Sequence, residues 1–396
     1  MINSIKNNYY NFKNTFFLLL ISNIYYICLS QSTVKTGAEN TKEYLNHIKN
    51  KNVGIIANHG SQIRRDSNYI HLVDSLISLG IKINKVFAPE HGFRGNQDAG
   101  EKILDQIDKK TEIKIISLYG KNRKPKPEDL NNIEILVFDL QDVGVRFYTY
   151  ISTLHYVMEA CAENKIPLIV LDRPNPNSHY IDGPVLNPIN KSFVGMHEVP
   201  IVYGMTIGEY AKMINGEGWL KNSIKCTLKI IPLKNYTHKT NFLIPFRPSP
   251  NLPNQKAIEL YPSLCLLEPT VISVGRGTEM QFQIYGNPKF PESKFRFIPE
   301  PNFGSKNPKH KEILCYGKDL RNIKKINKIS LEWLIDSYTK YPDKEKFFLK
   351  EFDRISGDSS LKDQIIAGWT PLKIRRTWKE NLKEFKIIRK KYLIYP

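Results

Sequence analysis

The sequence lacks the short motifs by which most nucleotide-dependent enzymes are identified. No G-x-G-x-x-G follows a predicted strand and no Walker A loop is present, which disfavours a dinucleotide or nucleoside triphosphate site. There is also no G-x-S-x-G elbow, which argues against an α/β-hydrolase. Any enzymatic role must therefore rest on other residues.

Cysteine is scarce, and no C-x-x-C pair occurs among the five cysteines of the 396-residue chain. This spacing argues against a thiolate metal site, although an exported chain can still form a disulfide. Cys161 lies in a helical pattern and Cys265 in an apolar run. We expect both to be buried as small hydrophobic side chains.

Acidic residues are few relative to basic ones, and the formal net charge is +19. The excess is mostly lysine dispersed among asparagine and isoleucine, without the clustering expected of a nucleic-acid-binding protein. The one basic cluster, at 373–391, is predicted to be an amphipathic helix with a solvated face. No nucleic-acid partner is therefore predicted.

Long apolar runs are missing apart from the N-terminal stretch 15–29. Lys6 and Lys13 precede this stretch and Ser30 follows it, as in a signal peptide that is cleaved after residue 30. The run is short and interrupted by polar residues, so no membrane span is expected after cleavage, although a retained anchor is the alternative. We expect residues 1–30 to direct export to the periplasm or the cell envelope.

Short β-rich apolar runs alternate with helical patterns through the first part of the chain. Strands are predicted at 53–57, 85–88, 113–118, 135–139, 168–171 and 228–232, and helices at 66–79, 149–164 and 206–215. Continuous apolar strands separated by helices indicate a parallel sheet covered on both faces. The predicted fold is α/β, with a Rossmann-like, doubly wound and mostly parallel sheet.

The amino-acid composition changes near residue 235, where proline becomes frequent. Later predicted strands, such as 294–298, are short. We therefore assign residues 40–234 to a Rossmann-like catalytic domain. Residues 235–396 are assigned to a smaller C-terminal α/β domain that closes the active-site cleft.

Four of the predicted strands end in polar clusters. Ligands of an open α/β sheet bind outside the carboxyl ends of its strands, so four clusters on one rim indicate an active site. The clusters are Asn58-His59-Gly60-Ser61, Pro89-Glu90-His91-Gly92, Asp139-Leu140-Gln141-Asp142 and Asp172-Arg173-Pro174-Asn175. His59 and His91 match no standard metal spacing with Glu90 or Asp139, so neither a metal nor a cofactor is predicted.

These clusters belong to a longer series of motifs that resembles one bacterial family, the NamZ-type exo-β-N-acetylmuramidases, long catalogued as a domain of unknown function. The similarity extends from about residue 53 to residue 393. Tyr203 stands where many relatives have histidine, and Gln-Phe-Gln at 281–283 replaces a more typical Pro-Phe-Glu. The matching segments are 89–95, 117–120, 138–150, 171–176, 204–209, 248–253 and 273–279.

The resemblance implies a glycoside hydrolase that removes N-acetylmuramic acid (MurNAc) from the non-reducing end of peptidoglycan fragments. The substrate would be a glycan such as MurNAc-GlcNAc, released during cell-wall turnover and recycling. The family likeness also implies an active site in the cleft between the two domains and a catalytic role for Glu90.

Glycosidases usually need two carboxyl groups. We expect Glu90 to be the acid/base, since it follows a strand directly; the alternative is a structural ion pair with Arg94. Asp142, or else Asp139, is expected to be the second carboxyl group. His91 would tune the pKa of Glu90 or contact the sugar.

Substrate contacts are expected from arginine, amide and aromatic side chains. A planar arginine suits the lactyl carboxylate of MurNAc because it can bind both oxygens at once. The candidates for that contact are Arg146, Arg173, Arg247 and Arg276. The other predicted substrate-binding residues are Asn58, His59, Arg94, Tyr148, Asp172, Asn175, Asn251, Glu268 and Glu279.

Two other functions fit parts of the sequence. A non-catalytic, exported cell-wall glycan-binding protein would share the fold and the export signal, but it would need aromatic and amide groups more than poised carboxyl groups. A metal-assisted hydrolase of esters or phosphoesters would need a ligand spacing that the sequence lacks.

Overall fold

The computed structural model describes residues 33–66, 68–90, 92–94 and 106–396. The predicted signal peptide and His91 lie outside the described residues. Within those ranges, no helix is both long and apolar enough to cross a membrane.

Fourteen strands are present in the described part of the chain, several of them very short. In chain order they are β1 (Val53–Ala57), β2 (Gln62–Arg65), β3 (Asn68–His71), β4 (Ile83–Ala88), β5 (Gln106–Ile107), β6 (Lys114–Ser117), β7 (Ile135–Asp139), β8 (Leu168–Leu171), β9 (Asp182–Val185), β10 (Pro200–Val202), β11 (Leu228–Ile231), β12 (Ile284–Asn287), β13 (Arg296–Phe297) and β14 (Cys315–Asp319).

Ten α-helices accompany these strands over the same described ranges. They are α1 (Thr41–Ile48), α2 (Leu72–Ser78), α3 (Tyr150–Glu163), α4 (Ile207–Gly216), α5 (Gln255–Leu264), α6 (Glu332–Lys340), α7 (Phe352–Ser356), α8 (Ser359–Ile366), α9 (Pro371–Thr377) and α10 (Lys379–Lys390).

A seven-stranded sheet in the order β11-β8-β7-β1-β4-β6-β5 forms the centre of the molecule. All neighbouring strands are parallel except the edge strand β5, which is antiparallel to β6. Strands β1, β7 and β8 are buried along their whole length, which explains their continuous apolar sequences. The predicted Rossmann-like, mostly parallel sheet is confirmed.

The sheet is covered on both faces by separate hydrophobic cores. Neighbouring side chains of β1 illustrate this, because Ile55 packs with helices α1 and α2 while Ile56 packs with α3 and α4. Side chains of a strand alternate between its two faces, so two adjacent isoleucines need two covering layers. The C-terminal region adds a small antiparallel sheet of order β12-β14-β13 and helices α6 to α10.

Two predicted helices differ from the structure. The predicted helix 66–79 is wrong in its first half, because β2 and β3 form an antiparallel hairpin there. Helix α2 begins only at Leu72, where the buried side chain of His71 accepts a hydrogen bond from the Val73 amide at 3.3 Å. The basic cluster 373–391 forms two helices, α9 and α10, that meet at Trp378.

The C-terminal segment returns to the central sheet. The Ile394 amide donates to Glu209 Oε1 at 2.8 Å. The Tyr395 hydroxyl donates to Asp172 Oδ2 at 2.6 Å. The segment thereby supplies hydrogen-bond donors to two buried carboxylates that precede it by 185 and 223 residues.

Candidate active site

The order of the strands marks one edge of the sheet as the place for a ligand. The chain starts at β1, adds β4 and β6 on one side, and then adds β7, β8 and β11 on the other. Ligands of open α/β sheets bind at the carboxyl ends of the strands beside such a reversal. The polar clusters that follow β1, β4 and β7 all lie at this edge.

A cavity of about 70 Å³ lies where this edge meets the C-terminal region. A carboxylate, a guanidinium and an amide line it together with aromatic rings, which are the kinds of group that line binding sites for polar ligands. The lining residues are Glu90, Phe147, Tyr148, Thr149, Ser249, Asn251, Leu252, Tyr261, Arg276 and Phe282. We call this the site cavity.

Glu90 is held at the site cavity by hydroxyl groups. The Thr149 hydroxyl donates to Glu90 Oε2 at 3.0 Å, and the Tyr119 hydroxyl also forms a hydrogen bond with Glu90. Burial, and next the charge of Glu90, raise the pKa of Tyr119, so the phenol keeps the proton that it donates. The carboxylate of Glu90 is therefore oriented by neighbours on two different segments.

Arg94 is engaged elsewhere. Its guanidinium pairs with Asp108 at 2.7 Å and with Asp74 at 3.1 Å. The alternative in which Glu90 is merely the ion-pair partner of Arg94 therefore finds no support in the described contacts.

Arg276 enters the site cavity from the C-terminal region and is anchored by Glu268. Its Nε donates to Glu268 Oε2 at 2.8 Å, and its Nη2 forms an ion-pair contact with the same oxygen at 2.7 Å. The guanidinium carbon lies 5.1 Å from the centre of the Phe282 ring. Although burial opposes the positive charge, Glu268 raises the pKa of Arg276, so the guanidinium is charged.

The loop that carries Arg276 depends on its two flanking glycines. Gly275 and Gly277 have φ angles of +82° and +79°, a region that favours glycine. A Cβ atom on Gly275 would lie 2.7 Å from the side chain of Ile284. This agrees with the close backbone approach that the sequence Gly-Arg-Gly indicates.

Asn251 and Tyr148 form another part of the wall. Asn251 donates through Nδ2 to the Gly304 carbonyl at 2.7 Å, while its buried Oδ1 has no hydrogen-bond partner within the described ranges. The Tyr148 hydroxyl donates to the Pro248 carbonyl at 2.7 Å, which leaves its ring as a face of the cavity.

Asn58 and His59 support the site without lining it. Asn58 Nδ2 donates to the Tyr150 hydroxyl at 2.5 Å, and Tyr150 packs edge-on against Tyr148 at 4.8 Å. His59 Nε2 lies 2.7 Å from the Arg247 carbonyl and so fixes the proline-rich loop. Burial lowers the pKa of His59, which favours its neutral form.

Asp139 and Arg173 are bound to each other. Arg173 donates to both carboxylate oxygens, through Nε at 2.6 Å and through Nη2 at 2.8 Å. The exposed fractions are 0% for Asp139 and 3% for Arg173. Burial raises the pKa of Asp139 and Arg173 counteracts that rise, so the pair is a buried structural unit beside the site cavity.

Asp142 does not line the site cavity, although its charge acts on Tyr148, which does. Its Oδ2 accepts hydrogen bonds from the Tyr203 hydroxyl and, at 2.6 Å, from the Gly144 amide. Its Oδ1 is buried and has no hydrogen-bond partner in the part of the chain that the structure describes. Burial raises the pKa of Asp142 to about 6. Tyr203, which departs from the family pattern, is thus its direct partner.

Asp172 and Asn175 serve the packing of α4 and the loop before it. Asp172 accepts from the Thr206 hydroxyl and the Gly208 amide, both at 2.7 Å. Asn175 donates to the Met205 carbonyl at 2.8 Å. Neither side chain lines the site cavity.

Three other sequence candidates also lie outside the cavity lining. Arg146 is buried and donates to the carbonyls of Pro184 at 2.8 Å and of Ser356 at 2.5 Å. Arg247 and Glu279 are exposed. Of the four arginines considered for the lactyl group, the structure brings Arg276 to Glu90.

Sequence reasoning missed several residues at the site. Tyr119 follows β6 at the same edge of the sheet, so the strand-end argument would have found it. Thr149 precedes α3 and makes no side-chain cap to that helix, so no helix signal points to it. Phe282 and Tyr261 come from the C-terminal region and carry no local signal in the sequence.

The described residues contain no group of three or more His, Cys, Asp or Glu side chains arranged to hold a metal ion. The cysteines Cys161, Cys226, Cys265 and Cys315 are free and buried. The predicted burial of Cys161 and Cys265 is confirmed.

Comparison with known proteins decides the family. Models of the N-terminal and C-terminal domains of exo-β-N-acetylmuramidase NamZ match residues 53–256 and 259–395. The chain belongs to this family. It is 37% identical to the peptidoglycan β-N-acetylmuramidase NamZ of Bacillus subtilis (strain 168) over 385 residues, which cover 91% of either protein. It is therefore an enzyme of the glycoside hydrolase class.

Solved structures of two DUF1343 family proteins from Bacteroides fragilis NCTC 9343 share the fold of this NamZ family member. One has a TM-score of 0.85 with 43% identity, and the other a TM-score of 0.79 with 30% identity. Both matches cover 92% of this chain and 99% of the other. The domain boundary after residue 234 stays a prediction, since the two family models meet between 256 and 259.

Proposed function

We propose that this chain is an exo-acting β-N-acetylmuramidase that releases MurNAc from the non-reducing end of peptidoglycan fragments, with Glu90 as its acid/base. One observation carries the proposal: Glu90 lines a cavity together with a charged arginine, in a chain of the NamZ family. The activity printed in the name of the Bacillus subtilis relative supports it. MurNAc-GlcNAc is the simplest substrate of this kind.

Glu90 would protonate the glycosidic oxygen as the bond breaks and would later take a proton from water. The hydroxyls of Thr149 and Tyr119 fix the direction in which its carboxyl group points. The rings of Tyr148 and Phe282 would pack against the sugar and exclude water. Each of these roles needs only side chains already placed at the site cavity.

Asp142 is our proposal for the second carboxyl group. Asp139 is neutralised by Arg173 and Glu268 is engaged by Arg276, whereas Oδ1 of Asp142 has no hydrogen-bond partner in the described part of the chain. Its pKa of about 6 suits a group that exchanges a proton near neutral pH. Asp142 does not line the site cavity, so its use would require the cavity to open toward it.

We also propose export, followed by a role in cell-wall turnover and recycling. The basic residues and apolar run of the N-terminal 30 residues support a cleaved signal peptide. Peptidoglycan lies outside the cytoplasmic membrane, so an enzyme that degrades it in place has to cross that membrane.

The test uses the wild-type protein and Glu90→Gln with two substrates, the disaccharide MurNAc-GlcNAc and the 4-nitrophenyl β-glycoside of MurNAc. An acid catalyst is most important when the leaving group is a sugar alcohol, which departs poorly without a proton. It is less important when the leaving group is nitrophenolate. We expect Glu90→Gln to lose roughly 100- to 10,000-fold in kcat/KM, which reports the bond-breaking step, on the disaccharide and clearly less on the nitrophenyl glycoside.

Glu279→Gln is the matched control, since Glu279 is an exposed carboxylate outside the site cavity. It should keep wild-type rates on both substrates. Wild-type protein that binds peptidoglycan fragments and cuts none would overturn the proposal in favour of a glycan-binding protein. Equal losses in kcat/KM on both substrates would remove the acid role from Glu90.

A further inference from the structure

We propose that Arg276, anchored by Glu268, binds the lactyl carboxylate of MurNAc and that Asn251 accepts the N–H of its acetamido group. The two residues would make the cavity selective for an acidic, N-acylated sugar over N-acetylglucosamine. This inference rests on the proposed function and assigns substrate recognition to particular side chains of the same site.

Arg276 has the geometry and charge that a carboxylate needs. The hydrogen bond from Nε to Glu268 Oε2 uses one of the five N–H donors of the guanidinium, and together with the Nη2 ion-pair contact it holds the guanidinium carbon 5.1 Å from the centre of the Phe282 ring. A guanidinium held in one plane offers parallel donors to both oxygens of a carboxylate. Glu268 is thus a positioning residue, while Arg276 is the group that would touch the substrate.

The other candidate arginines either have protein partners or lie outside the cavity lining. Arg173 makes its bidentate contact with Asp139, and Arg146 donates hydrogen bonds to backbone carbonyls. Arg247 is exposed and lies outside the cavity lining. Among the described residues, Arg276 is the one arginine that lines the same cavity as Glu90.

Arg276 would also reduce the repulsion between the substrate carboxylate and Glu90. A bound lactyl carboxylate brings a negative charge into the cavity that holds the Glu90 carboxylate. Like charges at short distance disfavour each other, and a nearby cation offsets this repulsion. N-acetylglucosamine has no such carboxylate, so its binding would leave the charge of Arg276 without a substrate partner.

Asn251 supplies the second recognition element. Its side chain is 2% exposed and its Nδ2 is fixed by the Gly304 carbonyl, which directs Oδ1 away from that bond. Oδ1 has no hydrogen-bond partner in the described ranges, although Asn251 lines the cavity. A buried acceptor without a donor costs free energy, and the acetamido N–H of an N-acetyl sugar would satisfy it.

The experiment compares 4-nitrophenyl β-MurNAc with the same compound as its lactyl methyl ester, which removes the negative charge and keeps the sugar. We expect wild-type protein to prefer the free acid. Arg276→Gln should lose roughly 10- to 100-fold in kcat/KM on the acid and little on the ester, so the acid-to-ester ratio collapses. Arg276→Lys, which keeps the charge without the planar fork, should recover part of the ratio.

Two variants serve as controls. Arg247→Gln should leave the ratio unchanged. Asn251→Leu should lower kcat/KM on the acid and the ester by the same factor, about tenfold, because both compounds keep the acetamido group. If Asn251→Leu lowers kcat/KM on one compound alone, the proposed role of Asn251 is overturned.

Arg276→Gln that keeps the wild-type acid-to-ester ratio would overturn the role of Arg276. If wild-type protein releases nitrophenol from neither compound, the proposed function fails. Calorimetric titration of wild type and Arg276→Gln with free MurNAc and its methyl ester then still measures recognition. A charge preference in wild type that the variant lacks would uphold the inference, and the absence of such a difference would refute it.

Discussion

The polar side chains at the sheet edge and those of the site cavity belong to one series of family motifs, but they differ in what they are bonded to. Asp139, Arg173 and Asp172 are buried and have protein partners in ion pairs or hydrogen bonds. At the site cavity, Asn251 retains a buried acceptor without a protein partner in the described ranges, and Arg276 is held along one side.

The difference separates residues that complete the fold from residues that are available to a ligand. A buried carboxylate is costly unless it is paired or hydrogen-bonded, so Asp139 and Asp172 must be satisfied within the chain. A binding site instead keeps oriented donors and acceptors for its ligand. Variants of Asp139, Arg173 and Asp172 should therefore change stability, and variants at the cavity should change activity.

The largest effect is expected for Arg173→Met. This change leaves Asp139 as an uncompensated buried charge, so the free energy of unfolding should fall by about 3–5 kcal/mol. Urea denaturation measures it. The double variant Arg173→Met/Asp139→Leu removes both charges and should recover most of the loss. A single variant that loses under about 1 kcal/mol would show that the pair is not structural.

The second-largest expected effect is a pH dependence of the free energy of unfolding that Asp172 causes. Burial raises its pKa from 3.8 to about 7 in the folded protein, so the folded state holds the proton more tightly than the unfolded state does. The resulting stability is fully present at pH values below the unfolded pKa and is lost as the pH rises through the folded pKa. Asp172→Asn cannot ionise and escapes this loss.

The free energy of unfolding of Asp172→Asn should therefore rise relative to wild type between pH 4.5 and pH 7.5, on the order of 2–4 kcal/mol. Urea denaturation at the two pH values gives the comparison, and loss of a hydrogen bond affects both values alike. A difference between the two proteins that is independent of pH would contradict the raised pKa.

The smallest effect is expected at the cavity itself, for Thr149→Val. Valine keeps the shape of threonine and removes the hydroxyl that donates to Glu90. We expect kcat/KM on MurNAc-GlcNAc to fall by about fivefold to tenfold. The melting temperature should stay close to that of wild type, since Thr149 does not cap α3 with its side chain. A fall in stability that matches the fall in activity would argue for a structural role.

Much of the central sheet could be predicted because its strands are buried on both faces. Strands β1, β7 and β8 have the predicted bounds, and the helix predicted at 206–215 is α4, which Thr206 caps in a capping box with Glu209. The hairpin of β2 and β3 was missed because its pairing depends on contacts between strands, while its spacing of apolar residues also fits a helix.

The site was only partly predictable. The strand-end argument placed Glu90 at the correct edge and Asp139 beside it, but it could not tell that Arg173 turns toward Asp139. Side chains from distant segments, such as Arg276 and Phe282, meet Glu90 through tertiary packing. Sequence spacing contains no information on which of four arginines makes that approach.

The return of the C-terminal segment to the sheet limits how the molecule can be divided. Asp172 and Glu209 receive hydrogen bonds from residues 223 and 185 positions further along the chain. A fragment cut where the two family models meet, near residue 256, would contain both carboxylates without these donors. The halves that the family models distinguish are therefore not independent modules. The half that contains Glu90 depends on hydrogen-bond donors from the C-terminal residues of the other half.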